Sequence, residues 1–475
     1  MQHTPDDERA LAQYRAQARR AEQATLWEDA ARAYEQALSL IAGDADAAAD
    51  EAGLLTALGR CYWLDGQARP AWRTLRRAIA LCRDRGDAVG VARATVELLA
   101  IWGPPDRQRA MADEALDLLG DADPHLRAWL LLRTRRQDEA LEIAERHGLE
   151  DVLPARLNER AWRAIDEGRP DEFIAVLRHT HELYAAMRLH DVAAGQLRGA
   201  GFAMMQLGRL GAGITLAEEA MAYASRTHLR FHQQLALMDL AGAAFARCEF
   251  DRCAALLDET PGEVDFRADL YRMWVAHHRG DTEQALRLLV DPVRGGGAQT
   301  AVSQIHAAAA GMLFAAGQHD AAKRELEAWA EVARVGQSFV EEAAAPADCL
   351  VALGGDALVL EVRQAFAERD GRLRLRDRYS TLQGRGLDDV RGALALRLGA
   401  SGDAAAHFRE GLAWAEEERC PVDAGRCLLG LADVALRQGR PGEAQPHVVA
   451  AAALFARVGA VHELRRARAR RTQPA

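Results

Sequence analysis

One spacing recurs from end to end of this chain and leaves few folds open to it: a small residue, a turn glycine, an alanine or glycine, usually a large apolar residue, and another small one. It reads Gly59, Gly66, Ala71, Leu75, Ala78 near the start, Gly201, Gly208, Gly213, Ala217, Ala220 in the middle, and Ala432, Gly439, Ala444, Val448, Ala451 near the end. Two antiparallel helices approach to roughly 8–10 Å only where their contact residues are small. The glycine between them adopts the left-handed backbone that ends a helix without a Cβ penalty. A single hairpin cannot bury such a face alone, so the units must stack.

The expected turns fall near Thr25 and at Gly66, Gly103, Arg136, Gly168, Gly208, Cys248, Gly280, Gly317, Gly354, Gly399 and Gly439. Their steps, about 32 to 45 residues, match the period of two-helix repeats. The expectation is an all-α, right-handed superhelical solenoid of about 12 antiparallel helical hairpins, forming one continuous repeat domain over residues 1–475. Arg136 and Cys248 stand where glycine is expected, residues 346–386 fit the template worst, and a basic tail occupies 463–475.

Composition agrees. The chain is 49% hydrophobic but only 6% aromatic, too apolar for disorder and rich in strong helix formers. Residues Met1 to Arg20 are charged, with no apolar signal core, and no run of about 18 uncharged apolar residues occurs. A cytoplasmic chain is expected. Seven scattered cysteines without a CxxC pair fit reduced thiols packed as small hydrophobes. The net charge of -10 argues against a nucleic-acid-binding surface.

The stretches WEDAARAYEQAL (Trp27 to Leu38) and GDAAAHFREGLAWAEE (Gly402 to Glu417) resemble tetratricopeptide (TPR) repeats of the longer variety. Such repeats occur in the C-terminal sensor arms of MalT-like, LuxR-type ATP-dependent activators and related signal-transduction ATPases. The resemblance implies a TPR-like scaffold, and it carries fold better than function. No GxxxxGK[ST] loop is present, so the nucleotide-binding module of those activators has no counterpart here. Arg294 to Gly297 is the nearest approach to a phosphate loop, and it reads as an inter-repeat connection.

No catalytic, cofactor or metal constellation stands out. His179 and His181, and the adjacent His277 and His278, lack the i, i+4 spacing that would put two ligands on one helix face. Carboxylates such as Glu341, Glu342 and Glu416 to Glu418 read as solvated faces. The arginine run Arg372, Arg374, Arg376, Arg378, Arg385 reads as stems lying over a helix junction, and the tail Arg465 to Arg471 as a solvated end of the last helix.

In such a solenoid the first helix of each hairpin lines the concave side. Projecting its register places Arg60, Trp63, Arg198, Phe202, Met205, Arg267, Trp274, His277, Gln304 and Phe314 on the inner surface. Aromatic and arginine anchors suit recognition of a peptide with apolar anchors and acidic flanks. In a tightly wound superhelix the same side chains would instead fill the interior. The chain therefore reads as a noncatalytic scaffold or adaptor binding a protein or peptide segment. The alternative is a small-ligand sensor module of a signalling or transcription-regulatory system, acting on a separate partner chain. The apolar run Val448 to Val461 is either a homo-oligomer contact or a face capped by the basic tail.

Overall fold

A computed structural model describes residues 5–41, 48–101, 105–259, 266–289, 299–336, 338–372, 378–380 and 384–471. The chain is an all-α helical-repeat solenoid, and it divides into two compact units. Unit 1 comprises residues 1–163, 171–198 and 219–236; unit 2 comprises 164–170, 199–218 and 237–475.

Four hairpins lie wholly in unit 1. They pair α1 (Pro5–Gln23) with α2 (Trp27–Ile41), α3 (Ala48–Leu64) with α4 (Ala68–Asp84), α5 (Ala88–Ala100) with α6 (Pro105–Leu119), and α7 (Pro124–Arg133) with α8 (Gln137–His147). The next five helices, α9 (Ala155–Asp166), α10 (Pro170–Ala186), α11 (His190–Gln206), α12 (Leu210–Arg226) and α13 (Arg230–Ala246), have residues in both units. Unit 2 continues with α14 (Phe250–Asp258), α15 (Phe266–His278), α16 (Thr282–Arg287), α17 (Gln299–Ala315), α18 (His319–Gly336), α19 (Phe339–Glu342), α20 (Ala347–Leu353) and α21 (Asp356–Arg372). It ends with α22 (Leu387–Arg397), α23 (Ser401–Glu417), α24 (Pro421–Arg437), α25 (Pro441–Arg457) and α26 (Val461–Arg471).

The turn chemistry follows the spacing. Gly66, Gly168, Gly208, Gly280, Gly317, Gly399 and Gly439 all have φ between 70° and 86°. Each closes a Schellman cap in which the next amide reaches back five residues, as Gln67 N does to Tyr62 O (2.8 Å) and Arg440 N to Ala435 O (2.9 Å). Where glycine is missing, Thr25, Arg135 and Cys248 take the left-handed conformation instead, at φ 57°, 62° and 59°, a strain that the flanking caps must hold in place. Two expectations need correction. The left-handed residue is Arg135, one before the expected Arg136, and Gly354 is extended at φ -66° because α20 ends without a Schellman cap. Gly103 and the Arg294 to Gly297 loop lie outside the described residues.

Small residues hold the hairpins close. A Cβ on Gly59 would lie 2.5 Å from Leu75 Cγ, and one on Gly201 3.1 Å from Gly213 O. Ala71, Leu75, Ala78, Ala432 and Ala451 are fully buried. All seven cysteines are free thiols, and burial pushes those of Cys253 and Cys349 up to about 12, away from the reactive thiolate. Among the described residues no helix is long and apolar enough to cross a membrane.

Three further features differ from the sequence expectations. Residues 379–380 and 385–386 form a two-residue antiparallel ladder, β1 with β2, in the least regular segment. Glu342 is buried, accepting hydrogen bonds from Ser303 and from the Trp329 indole (3.0 Å), so it is no solvated carboxylate. The basic tail does not extend the last helix: left-handed Gly459 ends α25, and α26 folds back to bury Ala460 and Ala467 against Phe455 and Val448. The apolar run is thus covered in part: Val448, Ala451, Phe455 and Ala460 are buried, while Val449 stays exposed.

Each unit brings together residues about two hundred positions apart. In unit 1 the Trp27 indole donates to Thr227 O at 3.0 Å, and Trp63 packs against Phe231 with ring centroids 3.8 Å apart and planes tilted by 39°. In unit 2 the Trp414 indole donates to Gly208 O at 2.7 Å, and α26 meets α15.

Candidate functional site

The first helices of the hairpins in unit 2, together with α26, supply the most elaborate polar site among the described residues. Alanine and glycine on these helices let the backbones approach, and long charged side chains fill the space left between them. Arg426 of α24 donates from Nε and Nη2 to Glu463 Oε1, at 3.0 and 2.7 Å. Arg466, one helical turn beyond Glu463, donates from Nη1 to Asp348 Oδ2 (2.7 Å) and Glu463 Oε2 (3.1 Å). Arg385 of β2 donates to Asp389 through Nε and Nη2 and lies 3.5 Å from Asp348. Asp423 accepts the Gly386 amide at 3.0 Å.

Electrostatics follow from this wiring. Burial would raise the Glu463 carboxyl, but Arg426 and Arg466 hold it well below the usual range. Asp348 behaves likewise: burial is outweighed by Arg466 and Arg385. Asp423 is pushed up to about 6, because its burial outweighs its more distant guanidinium partners. The nearby histidines are neutral, with burial pushing His277 down to about 3 and His278 well below its usual value. His462, packed against His277 with ring centroids 4.1 Å apart and planes tilted by 43°, is lowered by the same cause.

Two spaces flank this network. A cleft of about 460 Å³ is lined by Arg385, Arg397, Arg426, Arg437, Arg466 and Arg470 against the carboxylates of Asp348, Asp389 and Asp433. Its apolar walls include Phe314, Phe408, Leu396 and Leu429. A smaller cavity of about 220 Å³ shares Phe314, Asp348, Arg385, Arg426 and Arg466 with the cleft and ends on Phe245, Trp274, His277, His278 and His462. Ion-paired carboxylates thus line both spaces, and the imidazoles at the end of the smaller one are held neutral by burial.

Of the ten residues projected onto an inner surface, Trp274, His277 and Phe314 line this cavity. Met205 is buried beside Tyr379 and Trp414, and Gln304 is buried on α17. Phe202 is half-buried. In unit 1, Trp63 is only 4% exposed, while Arg60 and Arg198 are half-buried. Arg60 lies 4.0 Å from Glu97, and burial pushes His232 nearby down to about 4. The side chain of Arg267 lies outside the described residues, as do those of Arg372, Arg374, Arg376 and Arg471. The spacing did not reveal Asp348, Arg385, Arg426, Glu463 or Arg466. The one available signal was a charged residue at a position that the helix period makes inward-facing, such as Asp389 or Asp423.

Asp388, His407 and Glu410 place potential metal-ligand atoms within 4.8 Å of one another. Asp388 is already ion-paired with Arg378 (3.4 Å) and Arg391 (3.3 Å), two charges that oppose a cation there.

No protein-family model matches this chain, and no curated protein matches it. Solved structures similar to it include the APC/C hetero-tetramer Cut9-Hcn1, at 13% identity over 96% of both chains with a TM-score of 0.34. Yeast Tom70 is similar at 14% identity over 98% of this chain and 96% of that one, TM-score 0.29. The P58(IPK) TPR domain is similar at 13% identity over 98% and 99%, TM-score 0.24. The class, an all-α helical-repeat protein, is defined by the chain's own hairpins and left-handed turns.

Proposed function

We propose that this chain is a noncatalytic, TPR-like scaffold or adaptor, and that the cleft of unit 2 binds an acidic segment of a partner protein carrying apolar side chains. One observation carries this: five of the six guanidiniums lining the cleft are ion-paired, with Asp348, Asp356, Asp389, Asp433 or Glu463, whereas Arg437 reaches a backbone carbonyl and so brings an uncompensated positive charge to the wall. Local positive potential on an acidic protein selects an anionic partner and speeds its encounter. Arg437 donates to the Leu396 carbonyl (2.6 Å), leaving its charge available to a ligand carboxylate. Phe314, Phe408 and Leu429 supply the apolar surface on which anchors can seat.

The test is fluorescence anisotropy with a labelled peptide of alternating Glu and Leu/Phe residues, beside a matched peptide with Lys for Glu. The Glu peptide binds, its affinity falls with added salt, and the double variant Arg437→Glu, Arg470→Glu weakens it by about tenfold or more. Equal binding of the Lys peptide, or a Glu peptide indifferent to the double variant, would remove the basis for this assignment.

A further inference from the structure

The inner cavity of unit 2 differs in chemistry from the cleft it adjoins. We propose that it is a binding site for a small, uncharged, planar heteroaromatic ligand. Its occupancy then tunes the affinity of the cleft. Three observations point to this class.

First, the walls are flat rings. Phe245, Trp274, His277, His278, Phe314 and His462 line a volume of about 220 Å³. That volume lies below the roughly 300–1,000 Å³ of pockets for drug-sized ligands, so one ring or a fused pair fills it. Rings stack on such walls by offset or edge contacts.

Second, every charged group in the wall is already matched. Arg385 is held by Asp389, Arg426 by Glu463, and Arg466 by Asp348 and Glu463. A charged ligand would have to break one of these pairs and strand a buried charge. A neutral one leaves them intact.

Third, the polar atoms lacking a hydrogen bond on residues that line the cavity are neutral ones. They are Nε1 of Trp274 and Nδ1 of both His277 and His278, on side chains only 8%, 5% and 2% exposed. Buried polar groups are ordinarily satisfied. A ligand offering ring nitrogens or an amide supplies the acceptor that the indole N–H lacks and both halves of a bond to imidazole.

Coupling to the cleft follows from the shared wall. Phe314, Asp348, Arg385, Arg426 and Arg466 face both spaces, so a ligand that orders them in one alters them in the other, and the effect is reciprocal.

The experiment uses the full chain and four probes of similar size: nicotinamide and adenine as neutral heteroaromatics, benzoate and benzylamine as charged controls. Saturation-transfer NMR followed by titration reads binding directly, without any peptide. At least one neutral probe binds, and both charged controls bind about tenfold more weakly or not at all. Ala315→Leu, which fills the cavity from α17, lowers the neutral probe's affinity about tenfold. Trp274→Phe keeps a ring and deletes the donor, costing several-fold. Saturating probe then shifts the Kd of the acidic peptide. Absence of any neutral-probe binding, equal binding of the charged controls, or affinity unchanged in both variants overturns the proposal. Peptide affinity that responds to Ala315→Leu while no probe binds also overturns it, since the cavity would then be an anchor pocket of the cleft. Probe binding that persists when the peptide fails to bind separates this site from the cleft assignment.

Discussion

The neutral histidines beneath Arg426 and Glu463 make unit 2 sensitive to acid, and His277→Phe isolates the effect. His277 titrates near 3 when folded, against about 6.5 for an unperturbed imidazole. Because the folded value lies below the unfolded one, the unfolded chain takes up the proton first. Stability from this group is therefore fully present above about pH 6.5 and is lost as pH falls toward 3. Between pH 7 and pH 5 the loss is about 2 kcal/mol from His277 alone. His278 and His462, both lowered by burial, act in the same direction. Asp423, raised to about 6, acts oppositely, since its folded carboxyl takes up a proton before the unfolded one does. The groups facing His277 are His462, Glu463, Arg426 and Asp348, and they remain in place in the variant. Phe keeps a ring packed against His462 and removes the titration. Hydrogen-exchange mass spectrometry on peptides covering 266–278 and 461–471, corrected for intrinsic rates, follows local opening without assuming two-state unfolding of a 475-residue chain. Wild-type protection falls by about 2 kcal/mol more than that of His277→Phe between the two pH values. Equal pH sensitivity in both proteins would refute the burial-driven shift.

Trp414→Phe deletes the indole bond to the Gly208 carbonyl (2.7 Å) in unit 2, and leaving that buried acceptor unmet lowers stability by about 1–3 kcal/mol in denaturant unfolding; an unchanged midpoint would show that the bond is dispensable. Gly425→Ala puts a Cβ 2.4 Å from the Phe455 ring, an overpacking cost of about 1–3 kcal/mol. Gly195→Ala meets nothing within 4 Å on α11 and raises stability by about 0.5–1 kcal/mol through helix propensity. Opposite signs for these two glycines in thermal melts would bear out the packing, and matching signs would count against it.

The hairpins were legible because they are written locally. Gly66, Gly208, Gly399 and Gly439 mark turns whose hydrogen bonds span only six residues, and Gly59 or Gly201 records the closeness of a helix some sixteen positions or fewer away. A left-handed residue is harder to see when it is not glycine. Arg135 and Cys248 hold their turns because the helices on both sides over-determine the backbone. For the same reason the turns between hairpins at Arg188, His228 and Arg419 gave no signal of their own.

The site was hidden for a different reason. Trp274, His277 and Phe314 could be projected inward because each sits on a first helix whose packing face is known from its own hairpin. Whether they face open space or other side chains depends on how far each repeat rotates against the next, and that angle accumulates from many small packing choices. In unit 2 it brings His462 to His277, 185 positions earlier in the chain, and sets Glu463 and Arg466 against Arg426 and Asp348. No local period encodes that meeting. What the sequence does carry is charge in apolar company: Asp389 and Asp423 are buried on alanine- and leucine-rich helices, where a carboxylate costs several kcal/mol unless paired. Two such carboxylates, with Arg385, Arg426 and Arg466 elsewhere in the same hundred or so residues, require partners across the interior. An inward-facing charge in a repeat protein is thus a statement about a distant repeat, and matching the charges by sign would have found this network before its geometry was known.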